Sequence, residues 1–175
     1  MSSQSFYSIA FKGLAQGKHT FEYDIESKFF SEFGGGVVNE GQVKVLITLE
    51  KQSALMILWF DVEGTVRVQC DRCLEMYDQP IKGSDRIFVK FGDKEFEDGD
   101  DVIWVSTNDY QLNVAQLIYE FICLAVPIKN IHPNDENGNS TCDPEMIKRL
   151  DNYIIKEGKE QNSVWNDLKK LLDNE

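Results

Sequence analysis

The chain has 175 residues, 42% apolar and 27% charged, a length and balance that fit one globular domain whose core needs no disulfide staples. Its formal charge is −12, from 18 Lys and Arg against 30 Asp and Glu. That charge repels a phosphate backbone, so direct, tight RNA or DNA binding is not expected unless the few bases cluster on one face, and a basic protein partner suits it better.

No apolar run approaches the roughly 20 residues of a membrane span. The longest, Ala54 to Phe60, is strand-sized. The opening residues 1–5 carry neither the basic start nor the long apolar stretch of a signal peptide. The chain is therefore expected in the cytoplasm, away from membranes, where thiols stay reduced.

The first half reads as strands. Apolar residues alternate at Tyr7, Ile9 and Phe11, at Phe21, Tyr23 and Ile25, and at Val43, Val45, Ile47 and Leu49. The alternation resumes at Met56, Leu58, Phe60 and Val62, at Val66, Val68 and Cys70, at Ile87, Val89 and Phe91, and over Val102 to Val105. Period two with short polar or glycine-containing breaks predicts an antiparallel sheet. Gly34 to Gly36 reads as a flexible loop, because it lacks the spacing and the Lys of a phosphate-binding loop. Asp93 to Asp101 holds six carboxylates. It fails the spacing of a calcium loop and reads as a solvated connection.

Helices follow Tyr110. Asn113 with Gln116 resembles a capping box, and Val114, Leu117, Ile118, Phe121, Leu124 and Ala125 share one helical face before Pro127 stops the run. Cys123 falls on the opposite side and is not a ligand candidate. Asp143 and Pro144 open a second helix through Ile147, Leu150 and Ile154. A last short helix carries Val164, Trp165, Leu168, Leu171 and Leu172. Strands first and helices last predict an α+β fold. It has a mostly antiparallel, curled sheet over the N-terminal two thirds and about three C-terminal helices. Residues 1–157 read as one domain and 158–175 as an amphipathic helix that docks on the core or on a partner.

The chemistry concentrates in Cys70-Asp71-Arg72-Cys73, where an alternating strand should turn. A Cys-x-x-Cys knuckle points two sulfurs into one concavity, as structural zinc requires. His132 and Cys142, together in a later loop, are the remaining candidates for a Cys3His set. A thiol-disulfide pair is the competing reading. It needs a helix N-terminus to activate a thiol, and here the pair lies between strands with no βαβ pattern around it. A structural role as small buried thiols is the third. The only histidines are His19 and His132, and His19 reads as a surface turn residue. No nucleophile elbow, zinc-protease pair or nucleotide loop appears, so no enzyme is expected.

Val66-x-Val68-x-Cys70-Asp71-Arg72-Cys73-Leu74-Glu75, followed by Pro80-Ile81, resembles the central motif of the YceD-like family, also called DUF177. Asn113 to Pro127 is similar to that family's helix, His132-Pro133 with Cys142 to its following loop, and Trp165 to Leu171 to its closing helix. The resemblance spans residues 40 to 172. It implies a non-enzymatic factor in 23S rRNA accumulation, processing or stability and in large-subunit assembly. The acidic charge then favours a basic ribosomal or assembly protein as partner, with rRNA contacted indirectly. Arg72, Leu74 and Glu75 at the knuckle tip, with Trp165 and Leu168, are the expected contacts. No cofactor is certain, and zinc is the candidate.

Overall fold

The computed structural model describes residues 6–33, 36–92, 99 and 101–153. A short pair, β1 (Ser8–Ile9) with β7 (Leu112–Asn113), lies beside an open five-stranded sheet. The sheet runs in the order β2 (Gly17–Ile25), β3 (Gly41–Lys51), β4 (Leu55–Gln69), β5 (Met76–Phe91) and β6 (Val102–Val105). The fold is the expected strand-rich α+β class, and β2 to β5 pair antiparallel.

Several expectations are corrected in detail. β6 runs parallel to β5, with Phe88 opposite Val102 and Phe91 opposite Val105, so the sheet is mixed. The two alternating runs either side of Gly64 form one 15-residue strand. Gly64 faces Val43 across the ladder. A methyl group there would collide with the Gln42 carbonyl oxygen and lie 2.6 Å from the Val43 Cα. The glycine therefore serves close backbone approach within a strand and does not end it.

The helices are not all C-terminal. α1 (Ser27–Phe30) and a 3₁₀ turn at Ser31–Phe33 precede β3. Four residues are too few to show a 3.6 period, yet α1 buries Phe29 and Phe30 to 3% and 1% exposure. After the sheet come α2 (Ala115–Ala125) and α3 (Pro144–Tyr153). Ile154 and the expected helix over 158–175 lie outside the described residues, as does most of the acidic stretch 93–101.

α2 covers the core face of the sheet with Ile118, Phe121 and Ile122. Leu124, expected on that face, is exposed. At 3.6 residues per turn it points roughly 100° away from the centre of the buried arc, and Ile122 takes its place. The capping box is also half-formed. Asn113 Oδ1 accepts the Ala115 N–H at 2.9 Å. Gln116 Nε2 donates to Glu120 instead of turning back. The core face of β3 and β4 carries Ile47, Leu49, Met56, Leu58 and Phe60, all fully buried, and Phe60 meets Phe121 of α2 with ring centroids 4.6 Å apart. Lys51 Nζ donates to the carbonyls of Phe11 and Leu14 at 2.9 and 2.8 Å, tying the N-terminal segment to the sheet.

Candidate metal centre

The long hairpin of β4 and β5 turns through Cys70 to Glu75. The Cys70 N–H donates to the Glu75 carbonyl and the Leu74 N–H to the Cys70 carbonyl, each at 2.9 Å. Gln69 Nε2 reinforces the turn by donating to the Leu74 carbonyl. To close it Leu74 adopts φ 63°, the one positive φ of a non-glycine among the described residues. That conformation costs a non-glycine residue of order 1–3 kcal/mol. The turn also aims the Arg72 N–H at Cys70 Sγ, 3.5 Å away.

The second half of the site comes from the segment joining α2 to α3. Asp71 staples it to the hairpin. Its N–H donates to the Asn130 carbonyl, and its carboxylate accepts the Asn130 N–H, both at 2.7 Å. The loop then folds on itself. Asp135 Oδ1 accepts the N–H groups of Asn137 and Asn139, Gly138 takes φ +83°, and Thr141 Oγ1 donates to the Pro133 carbonyl. This closure returns Cys142 to His132 despite the nine residues between them.

Four ligand atoms therefore converge. Cys70 Sγ lies 3.7 Å from Cys142 Sγ, and His132 Nδ1 lies 3.3 Å from Cys73 Sγ and 3.8 Å from Cys142 Sγ. All four atoms lie within 4.8 Å of one another. With Zn–S near 2.3 Å and Zn–N near 2.0–2.1 Å, a tetrahedron has S···S edges of about 3.8 Å and S···N edges of about 3.6 Å. The three separations above are close to those edges, and the remaining pairs lie within 4.8 Å. Cys70, Cys73 and Cys142 are buried and His132 is half-buried. The His132 ring packs on Tyr77 with centroids 4.6 Å apart, which fixes its orientation.

The electrostatics suit a thiolate. Burial pushes the Cys70 thiol up, but it is outweighed by hydrogen bonds from the backbone of Cys73, Arg72 and His132 and from the His132 side chain. The thiol is brought down to about 6. Burial raises Cys142, and its neighbours Cys70 and Cys73 raise it further against the Ser140 hydroxyl. Tyr77 is raised by burial and then by the charges of Cys70 and Asp71. All four cysteines are free thiols, and Cys123 lies apart on α2, half-buried.

Arg72, Leu74 and Glu75 sit exposed at the tip, Leu74 at 56%. Trp165 and Leu168 lie outside the described residues. Sequence reasoning did not find the Asp71–Asn130 staple or the Asp135-centred loop. The run Asp135-Glu-Asn-Gly-Asn carried a turn signal, since Asp, Asn and Gly accept such conformations.

An open mixed sheet with two packed helices and a Cys3His cluster at one end defines an α+β protein whose cluster could hold a metal ion. A family model described as large ribosomal RNA subunit accumulation protein YceD matches residues 58–172, and the chain belongs to that family. The match runs from within β4 through both halves of the cluster. No curated protein and no solved structure matches the chain.

Proposed function

We propose that this protein is a non-enzymatic factor in large-subunit rRNA accumulation whose Cys3His cluster is a structural zinc site. The observation that carries the zinc assignment is the near-tetrahedral spacing of Cys70, Cys73, Cys142 and His132 Nδ1. Four protein ligands leave no open position for substrate or water, which is the pattern of a structural ion. Bound there, zinc would cross-link the β4–β5 hairpin to the α2–α3 loop. Asp71 aligns the two halves, and Tyr77 holds the imidazole.

A thiol-disulfide role for Cys70 and Cys73 is disfavoured by access. Their exposures are 0% and 3%, whereas exchange needs a thiolate that another sulfur can reach. The exposed tip of Arg72, Leu74, Glu75 and Met76 is the surface we assign to a protein partner. The net charge of −12 favours a basic ribosomal or assembly protein there.

Depletion of the protein followed by quantification of 23S rRNA and gradient profiles of the subunits tests the role. Loss of large-subunit rRNA relative to small-subunit rRNA is expected, and unchanged levels and profiles would overturn the reading. Complementation with Cys73→Ser separates the ion from the rest. That variant should purify without zinc and restore rRNA levels only in part.

A further inference from the structure

β2 is the first strand of the five-stranded sheet and pairs with β3 over all nine of its residues. On its other side, among the described residues, no backbone group of 17–25 makes a hydrogen bond. An edge strand turns alternate N–H and C=O groups outward, so β2 offers a row of donors and acceptors that another strand can pair. The edge is also open. Lys18, Thr20, Glu22 and Asp24 are exposed on the solvent face, and Phe21 is half-buried on the core face.

A notch lies at the C-terminal end of that edge, with a cavity of about 290 Å³. Its walls are the rings of Phe6, Tyr7 and Phe29. Tyr7 meets both neighbours edge-on, with centroids 5.2 Å from Phe6 and 4.9 Å from Phe29. Phe6 is 68% exposed. The rim carries Asp24, Glu26 and Glu32 against one cation, Lys28. Among the described residues none of these four forms an ion pair. The Tyr7 hydroxyl is raised by burial and then by the charges of Glu32 and Glu26. An exposed aromatic wall beside unpaired carboxylates is a seat for a cation, drawn by the ring and neutralised by the acids.

Two further cations flank the edge. Lys18, at its far end, lies 3.9 Å from Glu50 and over Trp59. Lys44 stands between Asp24 and Glu63 in a cross-strand row. Charge alone therefore does not choose the partner. The unpaired backbone does, because a β edge is completed by a polypeptide strand and not by a phosphodiester chain. The notch then asks one cationic side chain of that strand.

We infer that β2 receives an extended segment of a protein partner as an added strand, with a Lys or Arg of that segment in the notch. Main-chain hydrogen bonds supply affinity in this mode, and the side-chain pocket supplies selectivity. A second copy of this chain would bring a further charge of −12, so a basic partner is the occupant. The inference rests on the basic partner proposed above and gives it a contact separate from Arg72, Leu74 and Glu75.

The test uses the purified 175-residue chain, supplied with zinc, and a synthetic peptide that alternates Arg and Val over the length of β2. A copy methylated at its backbone nitrogens cannot donate to the edge, and a copy with Glu in place of Arg reverses the charge. Amide exchange is read by NMR at up to about 1 mM peptide. The Arg peptide should slow the outward amides of 17–25 about tenfold, and neither control should. Glu26→Gln and Phe6→Ala should each weaken binding about threefold. Phe6→Leu retains apolar volume and should weaken it too, with zinc content and circular dichroism unchanged. Glu136→Gln removes an exposed carboxylate outside the notch and should leave binding unchanged.

No slowing at 17–25, equal binding of either control peptide, or protection confined to 70–76 would overturn the inference. So would a concentration-dependent dimer of the peptide-free chain that protects the same amides, because the edge then serves a second copy. A failed peptide assay with an intact depletion phenotype removes this inference alone. Normal peptide binding with unchanged 23S rRNA removes the broader role instead.

Discussion

The two ends of the β4–β5 hairpin are built by different means. β4 alone has 15 residues, which at about 3.3 Å each span roughly 50 Å. At one end the strands close into the Cys70–Glu75 knuckle, locked from outside by Asn130, His132 and Cys142. At the other end no distant segment is required. Trp59, Phe88 and Trp104 are placed by ladder register alone. The lesson is that a site assembled across 72 residues of sequence depends on a loop closing correctly, whereas a face written on adjacent strands follows from alternation.

The largest effect should come from breaking the metal end. Cys142→Ser removes a candidate ligand and leaves the buried Cys70 and Cys73 and the half-buried His132 without their fourth partner. It should abolish stoichiometric zinc and lower stability by about 3 kcal/mol, or some 6–12 °C in melting temperature. Circular dichroism should still report the sheet, because none of the four cluster residues lies within one of its strands. Hydrogen exchange should localise the loss of protection to residues 128–143 and the knuckle. If the end carrying Trp59, Phe88 and Trp104 loses protection equally, the two ends are not independent.

Gly64→Ala strikes between them. The added methyl group meets the Gln42 carbonyl oxygen and the Val43 Cα, so β3 and β4 must shift apart. A cost of about 2 kcal/mol is expected, of the size seen when a well-packed interior is overfilled. Denaturant unfolding would show it as a lower midpoint at unchanged zinc stoichiometry. An undiminished midpoint would mean that the strands separate there without penalty.

Asp71→Ala sharpens the account of the staple. It removes the acceptor for the Asn130 N–H without touching a ligand. About 1 kcal/mol of stability should be lost. Zinc affinity, measured by competition with a chromophoric chelator, should fall about tenfold, as for other groups that orient ligands.

Leu74→Gly has the smallest effect and the opposite sign. It relieves φ 63° at a residue 56% exposed. Roughly 0.5–1 kcal/mol of stabilisation is expected, because glycine accepts the left-handed region freely. Chemical denaturation reads it directly. If the same variant weakens partner capture, Leu74 is retained at the tip for contact and not for the turn.

Legibility in the sequence followed these physical differences. β2, β3 and the central parts of β4 and β5 were plain, because one buried face enforces period two. The continuity of β4 through Gly64 was not, since a glycine that ends a strand and one that admits a neighbouring backbone look alike in a string. The parallel pairing of β6 was also hidden, because alternation carries no direction. Ile122 against Leu124 in α2 turned on a rotation that only packing decides.

At the site, residue types nominated Cys70, Cys73, His132 and Cys142, but their convergence depended on hydrogen bonds within 130–142 that residue type alone does not specify. The open edge of β2 was missed for another reason. Alternation at Phe21, Tyr23 and Ile25 marks a strand but not its place in the sheet, and an edge exists only once the strand order is known.

Zinc content of the purified 175-residue chain, measured by elemental analysis beside Cys73→Ser, tests the central claim most directly. One zinc per chain in the unaltered protein and none in the variant is the predicted result. A fully folded, metal-free protein that takes up no zinc when the ion is supplied under reducing conditions would contradict it.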